Sequence, residues 1–245
     1  MQYLIERSKE AWAKFLPHIS IDSVVFGFHE GEIKVLLLKM KDATKWQLPG
    51  GYLLKEEDLD AAAYRVLKER SGADKVFLHQ FGVMGAPNRS QGFFEDHEDG
   101  LWNKQRFLTV GYYALVDNTE IKAVPDDISD FCEWKQLNEL PEMAMDHGEI
   151  IDKALEALRL HLNYKPIGYN LLPSAFTMPE LQKLYETILN KKLNRGNFYR
   201  KMTSFNILKK LDETRRGGAH KAPNLYEFDV DKYNAALKDG LQPLW

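Results

Sequence analysis

Gly51-Tyr-Leu-Leu-Lys-Glu-Glu57, continued by Asp58-Leu-Asp-Ala-Ala-Ala-Tyr64 and Arg65-Val-Leu-Lys-Glu-Arg-Ser-Gly-Ala73, is the stretch on which the reading of this chain turns. From Asp58 to Arg70, the residues Leu59, Ala62, Ala63, Val66 and Leu67 recur at helical spacing and give one apolar face, so a helix packed on a core is expected there. Immediately upstream, Trp46-Gln-Leu-Pro-Gly-Gly51 places two glycines where the backbone can bend tightly or approach a ligand. Further upstream, Ser23–Phe28 and Lys34–Lys39 are β-rich, with His29-Glu-Gly-Glu-Ile33 between them as the turn of a hairpin that opens a sheet.

The spacing of Gly51, Glu57, Arg65, Leu67, Glu69 and Gly72 resembles the Nudix box, in which a loop and helix hold a divalent metal on a diphosphate substrate. In that family's catalytic pattern three carboxylates share one helix face; here the corresponding positions read Val66, Glu69 and Arg70. Magnesium takes oxygen ligands, usually one or two carboxylates together with substrate phosphates. One glutamate with Arg70 beside it is a poor site for a doubly charged cation. The resemblance therefore implies a Nudix fold that has lost its hydrolytic centre, and no catalytic residue, metal ligand or cofactor is assigned.

The 245 residues suffice for two domains, and 44% hydrophobic with 28% charged residues fits a water-soluble globular chain. The single cysteine, Cys132, excludes an intramolecular disulfide and a multi-cysteine zinc site; beside Phe131 and Trp134 it is expected on a strand, as a small core residue. No apolar run approaches the ~20 residues of a membrane helix, and the first ten residues lack the layout of a signal peptide, so a cytoplasmic location is expected. Net charge is −3 but unevenly divided. Residues 166–245 carry 13 Lys or Arg against 8 Asp or Glu (+5), whereas residues 1–165 carry 20 against 28 (−8). Within 191–221 the balance is 10 basic to 2 acidic, which points to an anionic partner for the C-terminal part.

The first ~20 residues read as an amphipathic lead-in, with Trp12, Phe15 and Leu16 covering one edge of the body. Residues 76–84, 106–116 and 131–135 are further strand candidates. Arg89 and Arg106 bracket a polar stretch and are expected to face a cleft above the glycine loop. The acidic run Glu95, Asp96, His97, Glu98, Asp99 reads as a solvated loop rather than a metal site. Asp146-His-Gly-Glu149 has capping-box spacing ahead of Ile150, Ile151, Ala154, Leu155 and Leu158, so capping is expected there, ahead of the alternative in which Asp146 and His147 contact a ligand. Pro166 and Gly168 interrupt helical periodicity, and a boundary is set between domains 1–163 and 164–245.

In the basic domain, Thr177-Met-Pro-Glu180 opens a helix with Leu181, Leu184, Tyr185, Ile188 and Leu189 inward. A short turn leads to a second helix, Arg195 to Phe205, with Phe198, Met202 and Phe205 inside and Arg195, Asn197, Arg200, Lys201 and Ser204 as candidate DNA contacts. Ile207–Leu211 and Leu225–Phe228 read as two strands flanking a cationic tip that holds Arg215, Arg216, His220 and Lys221. Helix, turn, helix and wing together describe a winged-helix module suited to duplex DNA.

Taken together, the chain resembles the bacterial Nudix-related transcription regulators, the group that includes the NAD-metabolism repressor NrtR and the L-arabinose regulator of Bacteroidetes, and it is most similar to the latter. The residues that carry the resemblance are Gly27-Phe28, Leu36-Leu-Leu38, Ala61–Leu67, Phe81–Gly85, Tyr112–Leu115, Asp146-His147, Pro166–Pro173, Leu181–Glu186, Asn197-Phe198 and Arg200-Lys201. The resemblance implies an α/β fold, a Nudix-like α/β/α sandwich followed by a winged helix. It also implies a homodimer on a paired operator, with the Nudix-like domain as effector sensor. A sugar of the L-arabinose kind or a nucleotide sugar is the expected effector, bordered by Trp46, Gly50, Gly51, Arg89 and Arg106. The stretch 91–105 is longer than the matching loop of those regulators. The competing reading is a hydrolase of a nucleoside diphosphate compound such as ADP-ribose, using Glu57 and Glu69 with carboxylates from 95–99.

Overall fold

The computed structural model describes residues 2–29, 31–74, 76, 78–95, 98–119, 121–169, 171–214 and 223–241. It divides into two compact units, one formed by 1–27 with 34–155 and the other by 28–33 with 156–245.

The first unit opens with helix α1 (Gln2–Lys14), which runs directly into the long strand β1 (Phe15–His29), followed by β2 (Glu32–Met40) and β3 (Gly50–Leu54). Helix α2 (Leu59–Ser71) comes next, then β4 (His79–Met84), β5 (Leu108–Asp117), β6 (Ser129–Gln136) and helix α3 (His147–His161). The sheet order is β4-β5-β1-β2-β6, with β3 also pairing with β1. Ile21 and Asp22 of β1 face Gly51 and Gly50 in an antiparallel register, so the glycine loop is stitched onto the middle of the sheet.

Alternation along the central strands sorts their side chains onto two faces. Ile21, Val25, Leu36, Leu38, Val110, Tyr112 and Ala114 form one core with Ala62, Ala63 and Leu67 of α2. The intervening Val24, Phe26, Val35 and Leu37 point to the opposite face and are equally buried, as are Ile150, Ile151 and Ala154 of α3. Cys132 lies in the α2-side core, on β6 as expected, where burial pushes its thiol up to about 12.

Helix α2 is set by its ends. Asp58 accepts from the Ala61 amide at 2.8 Å, and Gly72, at φ 71°, closes the last turn by donating to the Lys68 carbonyl.

The sequence places the first strand at Ser23, whereas β1 begins at Phe15. Pro17 and the polar Ser20, Asp22 and Ser23 hide the alternation, and the register with β3 shifts between Phe15 and Ser20. The stretch 91–105 contains two short 3-10 turns, Gln91–Phe94 and Trp102–Lys104. Trp102 is fully buried among Phe107, Ala11, Phe15 and Tyr52, and its amide donates to Ser8 Oγ at 2.7 Å.

In the second unit, β7 (Phe176–Thr177), α4 (Met178–Leu189), α5 (Arg195–Ser204), β8 (Leu208–Thr214), β9 (Asn224–Phe228) and α6 (Val230–Asp239) follow one another. The strands form a sheet of order β7-β9-β8. The expected capping box at Thr177 and Glu180 is present. Leu181, Leu184, Tyr185 and Ile188 of α4, Phe198 and Met202 of α5, and Phe176, Leu225, Tyr226, Phe228 and Tyr233 fill the core. Among the described residues no helix is long and apolar enough to cross a membrane.

Candidate nucleic-acid interface and effector site

At the Nudix-box positions, packing and ion pairs hold the replaced residues in place. Val66 is 2% exposed, and a Cβ built on Gly51 would stand 2.9 Å from its Cγ2, so valine packs directly beneath the loop where the catalytic pattern has a carboxylate. Arg70 is ion-paired with Asp126. Arg65 binds Glu57 (Nε to Oε2 2.9 Å), Glu69 (Nη1 to Oε2 3.0 Å) and the Tyr52 carbonyl (2.9 Å), and Glu57 also accepts from the Leu54 amide. The Arg65 guanidinium, with the Leu54 amide, holds the Glu57 carboxyl below its ordinary range. Glu57 thus ties β3 to α2 through the Leu54 amide and Arg65, while Glu69 bonds Arg65 within α2. Glu98 and Asp99 are exposed, Asp99 pairs with Lys104 at 2.8 Å, and Asp96 and His97 lie outside the described residues. Among the described residues, no three of His, Cys, Asp and Glu gather as a metal cluster.

Beneath the glycine loop, on the α3 side of the sheet, lies a buried polar network. Arg89, its side chain 4% exposed, donates to both oxygens of Asp146 (2.9 Å each) and to Asp22 Oδ2 (3.2 Å). Thr109 Oγ1 donates to the same Asp22 oxygen at 2.7 Å. A Cβ on Gly50 would stand 2.3 Å from Asp22 Oδ1, so glycine is required there by close approach of a buried carboxylate. His147 accepts the Leu48 amide on Nδ1 at 2.9 Å, and its Nε2 stands 3.8 Å from Asp22 Oδ1. Asp146 occupies the residue ahead of α3, but its carboxylate is gripped by Arg89, a contact 57 residues away that capping-box spacing does not reveal.

Burial lowers the His147 pKa below the ordinary imidazole value, against the opposing pull of Asp22 and Asp146. The unfolded chain therefore takes up the proton first as pH falls. Stability is expected to decline as pH drops below about 6.5 toward the depressed folded value, and to be restored above it. Urea titrations between pH 7.5 and 5.5 measure this slope, and His147→Gln should flatten part of it.

The five residues expected to border the effector are thus distributed as follows. Gly50 and Gly51 form the loop. Arg89 lies underneath it, engaged by two carboxylates. Arg106 is exposed, with Nη2 donating to the Gly85 carbonyl at 3.2 Å. Trp46 stands beside Phe131, with Lys135 Nζ 4.1 Å from its ring centroid. Sequence reasoning missed Asp22 and Thr109; Asp22 sits among the polar residues Ser20 and Ser23, which hide it as a buried carboxylate. The stretch 91–105 contributes Gly92, Glu95 and Lys104 to a cleft of about 430 Å³ that Asn88 also lines.

In the second unit, Arg195, Asn197, Arg200, Lys201 and Ser204 are all exposed on α5, opposite the buried Phe198 and Met202. Asn194 caps the helix by accepting from the Asn197 amide at 3.0 Å. Among the described residues no carboxylate lies within ion-pair distance of Arg195, Arg200 or Lys201, which leaves a cationic helix face free to meet phosphate. Arg215, Arg216, His220 and Lys221 lie outside the described residues.

Comparison with known proteins agrees with both units. The NUDIX domain model matches residues 16–154, and the NrtR DNA-binding winged helix domain model matches residues 168–228. The "ADPR responsive transcriptional repressor NtrR" of Acinetobacter baylyi is 29% identical over 227 residues, covering 89% of this chain and 84% of that one. An ADP-ribose pyrophosphatase of Methanocaldococcus jannaschii is 28% identical over 138 residues, 55% of this chain and 71% of that one. Among solved structures, Shewanella oneidensis NrtR is similar at a TM-score of 0.68 and 25% identity, covering 88% of this chain and 95% of that one. The same protein complexed with a 27mer DNA matches at a TM-score of 0.66 and 24% identity, with the same coverage. With a Nudix domain followed by an NrtR winged helix, the chain belongs to the Nudix family, among its NrtR-type DNA-binding transcription regulators.

Proposed function

We propose that this regulator is a cytoplasmic repressor, acting as a homodimer on a paired operator, whose Nudix domain senses ADP-ribose or a near relative among nucleotide sugars without hydrolysing it. The observation that carries this reading is the replacement of the Nudix-box carboxylates by Val66, packed under Gly51, and by Arg70, paired to Asp126. A loop that keeps the diphosphate-binding frame but not the metal positions is suited to holding such a ligand intact. The ADP-ribose-responsive relative supports the nucleotide-sugar effector over a free pentose. Gly50, Gly51, Trp46 and Arg106 are the proposed contacts, with Arg89 fixing the loop from below through Asp22. We place the functional boundary at 163/164, in the segment that joins α3 to the winged helix.

A ligand shifts DNA affinity only by its differential affinity for two states, and such couplings amount to roughly 5- to 150-fold. The test is fluorescence anisotropy of the full chain on a duplex recovered by in vitro selection, with ADP-ribose and L-arabinose added separately. A change in that range with ADP-ribose alone supports the reading. A response to L-arabinose alone would replace the effector, and no response to either would overturn the sensing function.

The cationic face of α5 also fixes the salt dependence of binding. Each phosphate neutralised contributes a slope of roughly −0.9 in log affinity against log salt. Lys201→Ala should therefore make the slope shallower by about 1 and weaken binding to all sequences alike, as read from titrations at several salt concentrations.

A further inference from the structure

We infer that Asn197 is a positioning residue that aims Arg200 at a guanine in each operator half-site. The inference rests on the DNA-binding reading above and adds what that interface recognises. Arg200 Nη2 donates to Asn197 Oδ1 at 2.5 Å, one turn back on the same exposed face of α5. The backbone of Asn197 is itself held, because its amide donates to the N-cap Asn194. Asn197 therefore lies in the first turn of the recognition helix, the part that meets base edges when such a helix enters the major groove.

An exposed arginine ordinarily loses several freely populated rotamers when it binds. Here one hydrogen bond orients the guanidinium plane before DNA arrives, and no carboxylate competes for it among the described residues. A guanidinium offers only donors, in a fixed fork, and guanine alone presents two adjacent acceptors, O6 and N7, on its major-groove edge. Adenine would put its N6 donor against another donor. Asn197 could read adenine only by offering Oδ1 to N6 and Nδ2 to N7, and that Oδ1 already accepts from Arg200. The pair thus favours guanine over adenine at one position, while Lys201, a point charge on the same face, is left to the phosphates.

The test uses the full chain. A randomised duplex library is selected on the wild type, and single base-pair variants of the recovered site are then compared by competition anisotropy. The wild type should prefer G·C to A·T at one position per half-site by roughly 5- to 150-fold. Asn197→Ala should lower that ratio at least several-fold. Asn197→Asp, which keeps an acceptor in place, should recover the ratio, and Arg200→Lys should abolish it. If Asn197→Ala keeps the wild-type ratio, or no guanine preference depends on Arg200, the inference is overturned and DNA binding stands. Failure to enrich any duplex would overturn the DNA-binding reading and this one with it.

Discussion

Replacing Arg89 with Met is expected to destabilise the chain by about 3–5 kcal/mol, the range for removing one partner of a buried ionic group and leaving the others uncompensated. Arg89 donates to Asp22 and to both oxygens of Asp146, and all three side chains are largely buried, so loss of the guanidinium strands two carboxylates between the sheet and α3. Water cannot readily resolvate them. Urea unfolding of the full chain, read by circular dichroism, measures the loss. Neutralising the stranded groups as well, with Asp22→Asn and Asp146→Asn, should recover part of it, because an amide is far less costly to bury than an unpaired charge. A loss below about 1 kcal/mol for Arg89→Met would show that the network is solvated and does not hold the loop. Because Asp22 also abuts Gly50, the same substitution should weaken ADP-ribose binding even in the folded fraction.

The second large effect is on DNA. Reversing two charges on the recognition helix, Arg200→Glu with Lys201→Glu, is expected to reduce affinity for the selected duplex by roughly 100- to 10,000-fold. Each lost charge-assisted hydrogen bond accounts for about 1.5–3 kcal/mol, and the introduced carboxylates repel phosphate. Both positions are exposed and lack ion-pair partners among the described residues, so the thermal transition should move little. Anisotropy titration gives the affinity and calorimetry the stability. Unchanged binding would mean that α5 is not the helix presented to the duplex.

Features written by local periodicity were legible in the sequence. Helices α2, α4 and α5 follow from apolar spacing and from end signals at Asp58, Gly72, Thr177 and Asn194, all of which act within a few residues. Strands β8 and β9 could also be read, whereas the two-residue β7 was too short to show an alternation. Long-range partners could not be read. Arg89 looked like a ligand contact because strand ends often carry them, yet its partners lie 67 and 57 residues away, and no local pattern distinguishes an arginine facing a cleft from one facing a buried aspartate. Asp146 likewise carries a tie that its spacing does not announce, both oxygens of its carboxylate accepting from Arg89. The first half of β1 was hidden by Pro17 and a run of polar residues that are buried by tertiary pairing. The replacement of two box carboxylates by Val66 and Arg70 was legible from residue identity alone, and the structure adds its physical form: Val66 occupies the space beneath Gly51.

A Nudix domain that senses its ligand without hydrolysing it, joined to a winged helix that reads DNA, should show both properties in one sample. That sample is the full chain with its selected duplex and ADP-ribose in magnesium buffer, with anisotropy and AMP release followed together. Duplex affinity should change on adding ADP-ribose while the nucleotide stays intact. Steady AMP release at ordinary enzymatic rates, with no measurable hold on the duplex, would contradict it.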